Sequence, residues 1–190
     1  MLLRRSLLAM AVTFPAARAL AQNGPNAAPL RALSEGGVVA LIRHARAPGT
    51  GDPPGFRLGD CATQRNMSND GRRQAAEMGQ RLRRASVPVT EVRSSRWCRA
   101  LETARLAFPE IPVEPEAALD SFFGAQESAA RQSEQTRSLI AGWRDRQGVL
   151  ALVTHQVNVT ALTQVFPAEG EIVVLRPNLS GFELVGRVPP

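Results

Sequence analysis

The chain has 190 residues, enough for one domain with a substantial core and too few for two comfortable ones. Its formal charge is +6, but three of its 23 basic residues fall in the first 21 positions; the remaining 20 face 17 acids, a net of +3, which is not the footprint of a nucleic-acid-binding protein. Every basic residue is arginine, so lysine nucleophiles and Schiff bases are excluded, and any phosphate or carboxylate must be recognised by guanidinium groups.

Residues 1–21 combine a basic start (Arg4, Arg5), an apolar middle from Leu7 to Pro15 and an Ala19-Leu20-Ala21 ending. This reads as a cleaved secretory signal, by the general or the twin-arginine route, and places the mature protein outside the cytoplasm, with a bacterial periplasm expected. The apolar run is broken by Pro15 and Arg18, so no stable membrane span is expected. Residues 22–35 read as a loose mature terminus with a helical turn from Leu30 to Glu35, and residues 36–190 as the single folded domain.

Val38 to Ala45 is a buried-strand run that ends in Arg43 and His44. A long Gly- and Pro-rich loop follows from Arg46 to Met67; leaving from that strand end, it is expected to wall the pocket, with Arg57, Arg65 and Gln64 choosing the substrate and their charge favouring an anionic leaving group. Ser68-Asn69-Asp70 offers caps for a helix to about Arg84, with Ala75, Met78, Gly79 and Leu82 on one face. Val89 to Arg93 is the second strand, Ser94 or Ser95 the cap of a helix to Phe108, and Ile111 to Val113 a third strand. A loop from Asp120 to Gly124 leads to a helix from about Glu127 to Asp145, anchored by Leu139, Ile140 and Trp143. Val149 to Thr154 is a continuous apolar strand that delivers His155, and Asn158 to Phe166 a short helix. Glu171 to Leu175 and Phe182 to Val185 read as antiparallel edge strands.

Strands alternating with helices predict an α/β three-layer sandwich, a mostly parallel sheet with helices on both faces. Ligands bind at the carboxyl ends of such strands, where both histidines of the chain, Arg43, and the helix start with Arg96 and Arg99 are expected to converge. Guanidinium groups can neutralise phosphoryl oxygens while an imidazole nitrogen attacks phosphorus to give phosphohistidine. No metal or other cofactor is expected: the two histidines stand 111 residues apart without a ligand-spacing motif, and no glycine-rich nucleotide fingerprint follows the first strand. Two cysteines in an exported chain read first as a Cys61–Cys98 disulfide that pins the loop beside the phosphate arginines; the alternative is two buried free thiols.

The order L-I-R-H-A, S-x-x-G-R-R-Q-A (Ser68, Gly71 to Ala75), S-S-x-x-x-R-A-x-x-T-A (Ser94 to Ala104) and V-T-H resembles the histidine phosphatase superfamily, with its phosphoglycerate-mutase-like fold, from about Val38 to Leu175. The resemblance implies that His44 is the nucleophile, that Arg43 and Arg99 bind the phosphoryl group with Arg96 as an outer contact, and that His155 steadies the transferred charge. Arg46, Arg65, Gln64, Thr154 and Gln156 complete the expected substrate contacts. Three departures stand out. Ala45 replaces a common glycine, Gln156 follows the second histidine where one branch has aspartate, and Leu119-Asp120-Ser121 replaces the L-x-E of another. Asp120 is therefore the candidate general acid, with Glu127 and Glu171 behind it.

The implied activity is metal-independent phosphomonoester hydrolysis on a small-molecule or lipopolysaccharide-type phosphate. Export disfavours a glycolytic mutase, whose substrates are cytoplasmic. The rivals are a phosphohistidine protein phosphatase and a phosphate- or phosphosugar-binding module without turnover. Oligomeric state is not written in the sequence.

Overall fold

The computed structural model describes residues 27–190, so the secretory-signal reading lies outside the described residues. Helix α1 (Ala27–Glu35) begins three residues before the expected turn and buries Ala32 and Leu33 against the sheet. The chain continues through β1 (Val38–Arg43), α2 (Asn69–Arg84), β2 (Val89–Ser94), α3 (Cys98–Ala107), β3 (Val113–Pro115), α4 (Ala129–Ala141), β4 (Val149–Thr154), α5 (Gln156–Thr163), β5 (Ile172–Asn178) and β6 (Gly181–Val188).

The six strands form one sheet in the order β3-β2-β4-β1-β5-β6. The first four are parallel; β5 pairs antiparallel with β1, and β6 antiparallel with β5. Strand alternation splits the core between the two faces. Val38, Ala40, Ile42, Val149, Ala151 and Val153 pack with residues of α1, α2 and α3, whereas Val39, Leu41, Leu150 and Leu152 pack with Ile140 of α4, Trp143 just past its end, and Val159 and Leu162 of α5. The expected three-layer sandwich is thus formed.

Several local expectations are corrected. β5 is internal rather than an edge: Ile172 to Leu175 is buried on both faces, as a continuous apolar run requires, and of these two strands β6 alone is an edge. β3 lies two residues later than expected, at Val113–Pro115, where it pairs with the end of β2. α3 is capped by Trp97 without a side-chain hydrogen bond, not by Ser94 or Ser95. α4 stops at Ala141, well before Asp145. Ser68 does cap α2, its hydroxyl accepting from the Gly71 amide at 3.1 Å. At Gly71 a Cβ would sit 2.1 Å from the Arg46 carbonyl oxygen, so glycine lets the start of α2 close onto the loop that leaves His44.

Candidate active site

Register brings the two histidines together. β1 and β4 are parallel neighbours with Arg43 opposite Thr154, so the next residue of each, His44 and His155, emerges at the same carboxyl edge. Their ring centroids are 5.3 Å apart, and both side chains are buried. β2 ends beside β4 and supplies Ser95, Trp97 and then Arg99 from the first turn of α3. The two histidines, Arg43, Trp97 and Arg99 line a cleft of about 760 Å³ together with loop residues Gly51, Asp52 and Arg65, and Ser95 stands behind that wall against His155.

The hydrogen bonds define the ring nitrogens. His44 Nδ1–H donates to the carbonyl of Ala45 at 2.8 Å, which leaves Nε2 with its lone pair. The Ser95 hydroxyl lies 2.7 Å from His155 Nε2 and 3.3 Å from Asp120 Oδ1; with its proton directed along the shorter contact, His155 carries its own proton on Nδ1. Burial, with the Arg99, Arg65 and Arg43 charges adding to it, lowers the His44 pKa to about 3, against a weaker opposite pull from the Ala45 carbonyl. Burial, followed by the positive neighbours, pushes His155 well below its ordinary value. Both rings are therefore neutral near pH 7, as a nitrogen nucleophile must be.

Neutral burial has a measurable consequence. The unfolded chain takes up a proton at each histidine near pH 6.5, whereas the folded chain does so only far lower. Between those limits the unfolded state binds more protons, so stability falls as pH is lowered, approaching about 1.4 kcal/mol per pH unit for each histidine. Urea midpoints at pH 7 and pH 5 check this; carboxylate linkage enters mainly below that window. A midpoint unchanged between the two would contradict neutral burial.

Four buried side-chain polar atoms have no hydrogen-bond partner among the described residues, and three of them belong to the cleft: Arg43 Nε, Arg99 Nε and His155 Nδ1. The rest of each guanidinium is fastened. Arg43 Nη1 donates to the Pro167 carbonyl at 2.8 Å, with Glu169 3.7 Å from Nη2. Arg99 makes a two-point pair with Asp52, at 2.8 and 3.1 Å, and also donates to the Arg65 carbonyl at 3.2 Å. An uncompensated buried donor costs about 1–3 kcal/mol, and a phosphoryl oxygen is an acceptor suited to all three. With Arg65, the cleft sets three guanidinium groups against the single carboxylate of Asp52, a balance fitted to a dianion.

The other expected contacts divide. Arg65 and Gln156 line the cleft. The Arg65 guanidinium donates to the carbonyls of Gly51 and Ala47, and Gln156 Nε2 to Thr160 Oγ1 at 2.8 Å. Arg96, Arg46, Gln64 and Thr154 are not in the cleft wall. Arg96 is paired with Asp120, Arg46 is exposed 3.9 Å from Asp70, and Thr154 donates to the Leu119 carbonyl at 2.6 Å. Gln64 braces the loop instead, accepting from the Cys98 amide at 3.0 Å and donating to the Arg57 carbonyl at 2.9 Å.

The three candidate proton donors all stand outside the cleft wall. Asp120 is buried behind Ser95, and its carboxylate accepts from the Arg96 amide at 2.8 Å and Arg96 Nε at 2.7 Å. Asp120 is committed to this ion pair and lies outside the cleft wall. Glu127 is exposed on a short 3-10 helix outside the cleft. Glu171 is held by Arg187 at 2.5 and 2.9 Å; burial raises its pKa, but that pair and the Ala168 amide outweigh the effect and leave it lowered.

The sequence reading missed Asp52, Ser95 as the partner of His155, and Trp97, whose ring lies 5.5 Å from the His155 ring and whose Nε1–H donates to Asp52 at 3.0 Å. The D-P-P-G-F stretch was the available signal for Asp52, an acid in the loop expected to wall the pocket.

The expected disulfide joins Cys61 to Cys98, with Cα atoms 5.7 Å apart, and ties the loop to the first turn of α3 beside Arg99. Denatured protein is expected to show no reactive thiol before reduction. Replacing both cysteines by serine opens a link spanning 37 positions and is expected to cost about 2–4 kcal/mol, read from urea unfolding.

A search of the curated proteins found no match. Solved structures with similar backbones include phosphoserine phosphatase from Entamoeba histolytica in complex with 3-phosphoglyceric acid, at 13% identity and TM-score 0.58, covering 80% of this chain and 97% of that one. Another is YhfR of Bacillus stearothermophilus, at 15% identity and TM-score 0.57, covering 77% and 94%. A third is the mycobacterial glucosyl-3-phosphoglycerate phosphatase in complex with VO3, at 14% identity and TM-score 0.57, covering 77% and 97%. At these identities the likeness shows the shared fold. The family model described as histidine phosphatase superfamily (branch 1) matches residues 39–151, more than half of the sequence, and the chain belongs to that superfamily.

Proposed function

We propose that this histidine phosphatase hydrolyses a phosphomonoester outside the cytoplasm through a phosphohistidine on His44. The observation that carries this reading is the set of unpartnered donors on Arg43, Arg99 and His155 around a neutral His44 with its Nε2 lone pair. Nε2 attacks phosphorus, the P–O ester bond breaks, and the leaving oxygen takes the electron pair and then a proton from solvent; water next attacks phosphorus, the P–N bond breaks with its electron pair returning to Nε2, and inorganic phosphate leaves with the water's oxygen while one proton returns to solvent. The three donors stabilise charge on the non-bridging oxygens as it is transferred.

None of the three expected carboxylic acids stands in the cleft wall, so leaving groups that depart with little protonation are favoured. The same observation supports the second reading, a phosphate-binding module without turnover. An extracytoplasmic substrate, whether a small molecule or a lipopolysaccharide-type phosphate, is supported by the signal-like residues 1–21 and by the Cys61–Cys98 bridge, since disulfides persist in oxidising compartments.

The test is p-nitrophenyl phosphate hydrolysis by the mature protein in chelator, combined with quenching in alkaline denaturant. Turnover with an acid-labile, base-stable phosphoenzyme is expected. Folded protein that binds inorganic phosphate but gives neither product nor phosphoenzyme would establish the binding module instead.

A further inference from the structure

The walls of the cleft differ in chemistry. Its charged side chains are Arg43, Asp52, Arg65 and Arg99, and each is already held by protein groups as described. Beyond them and the two histidines the lining has the uncharged polar Thr50, Ser121 and Gln156 and a set of large apolar side chains: Phe56 from the loop after β1, Phe123 from the loop before α4, and Val157 and Phe166 from the two ends of the α5 region. Phe56 leans on Trp97 with ring centroids 5.6 Å apart, and a Cβ on Gly51 would lie 3.6 Å from the Phe123 ring. Yet Phe123 and Phe166 remain 53% and 69% exposed, so two aromatic rings face the cleft without being covered by this chain.

The loop arginines do not supply the anion site that their sequence suggests. Arg57 is closed on Asp60 at 2.6 Å and lies outside the cleft wall, while Arg65 donates to its own loop's carbonyls. An anionic leaving group would therefore meet aromatic carbon rather than an uncommitted guanidinium. The cleft volume of about 760 Å³ lies within the range of roughly 300–1,000 Å³ typical of small-molecule sites, far more than a phosphoryl group needs.

Resting on the phosphatase reading above, we infer that the substrate is a phosphomonoester of an apolar hydroxyl compound with an acidic, phenol-type leaving oxygen, whose hydrocarbon portion lies against Phe56, Phe123, Val157 and Phe166 while its phosphoryl group meets His44. The rings contribute by removing apolar surface from water, and an arrangement contributed by three separate loops selects for size and shape as well as for lack of charge.

The experiment uses phenyl phosphates carrying para-methyl, ethyl, propyl or butyl groups, which lengthen the apolar part while leaving the phenol's acidity nearly constant, and para-carboxyphenyl phosphate as the anionic arm. In the wild-type protein kcat/KM is expected to rise about two- to fourfold per added methylene and to fall below the phenyl value for the carboxylate. The matching arylphosphonates, measured by calorimetry, are expected to bind with the same dependence on chain length. In Phe123→Ala/Phe166→Ala the butyl-to-phenyl ratio is expected to drop at least about fivefold in both measurements. Both changes are at exposed positions, and inorganic phosphate affinity checks that the variant retains its anion site. A flat alkyl series, a preference for the carboxylate, or an unchanged ratio in the double variant would overturn the inference. Phosphonates that bind with the expected slope, without hydrolysis of any ester, would refute the phosphatase reading and leave the apolar subsite standing.

Discussion

His44→Asn is expected to lower kcat for p-nitrophenyl phosphate by at least about 10,000-fold, the scale seen when a covalent nucleophile is removed. The size of the effect follows from the division of labour around phosphorus. Arg43, Arg99 and His155 offer hydrogen bonds to its oxygens, but only the His44 Nε2 lone pair is available to form the new bond. Asparagine retains an amide N–H able to serve the Ala45 carbonyl, and lacks a comparable nucleophile. The variant is expected to keep a wild-type urea midpoint near neutral pH and to retain inorganic phosphate binding. Turnover within tenfold of wild type, in protein free of contaminating phosphatase, would eliminate His44 as the attacking group.

The second large effect concerns stability. Arg99 has a side chain only 3% exposed, and Asp52 is its sole carboxylate partner among the described residues, held also by the Arg65 amide at 3.0 Å and the Trp97 indole. Burial raises the Asp52 pKa, but the Arg99 contact, with those further donors, outweighs it and holds the carboxylate below its ordinary range. Asp52→Ala leaves a buried guanidinium without its counter-charge and is expected to cost about 3–5 kcal/mol in urea unfolding at pH 7. Inorganic phosphate supplies the missing charge, so saturating phosphate is expected to recover more stability in the variant than it adds to wild type. Asp52→Asn, which keeps the hydrogen-bonding shape, is expected to fall between the two. A loss below about 1 kcal/mol for Asp52→Ala would show that Arg99 does not depend on this partner.

What could be read from the sequence follows from how far each feature reaches along the chain. His44 and His155 were legible because each directly continues a buried apolar strand, and strand ends of a parallel sheet share an edge. Asp52 was not, because its partner stands 47 positions away and is chosen by the path of an irregular loop. Asp120 illustrates the converse: its position beside the expected motif is correct, but the neighbouring Arg96 side chain captures its carboxylate, and local sequence does not specify which way that side chain turns. The three aromatic rings of the outer cleft come from different loops, so no spacing rule joins them. The placement of β5 was, by contrast, recoverable from Ile172 to Leu175, whose unbroken apolar run already marks a strand covered on both faces.

The pairing of Arg43 with Thr154 across β1 and β4 gives the two histidines a common origin in the backbone ladder. Their spacing is thereby insulated from drift in the surrounding loops, much as a fixed anvil is indifferent to the tool set around it. Replacements around Phe56 or Phe123 that keep Asp52, Cys61 and Arg65 in place can retarget the enzyme without re-solving its chemistry. A loop-exchange library built on this sheet would therefore be expected to yield many altered selectivities among variants that still form the phosphoenzyme.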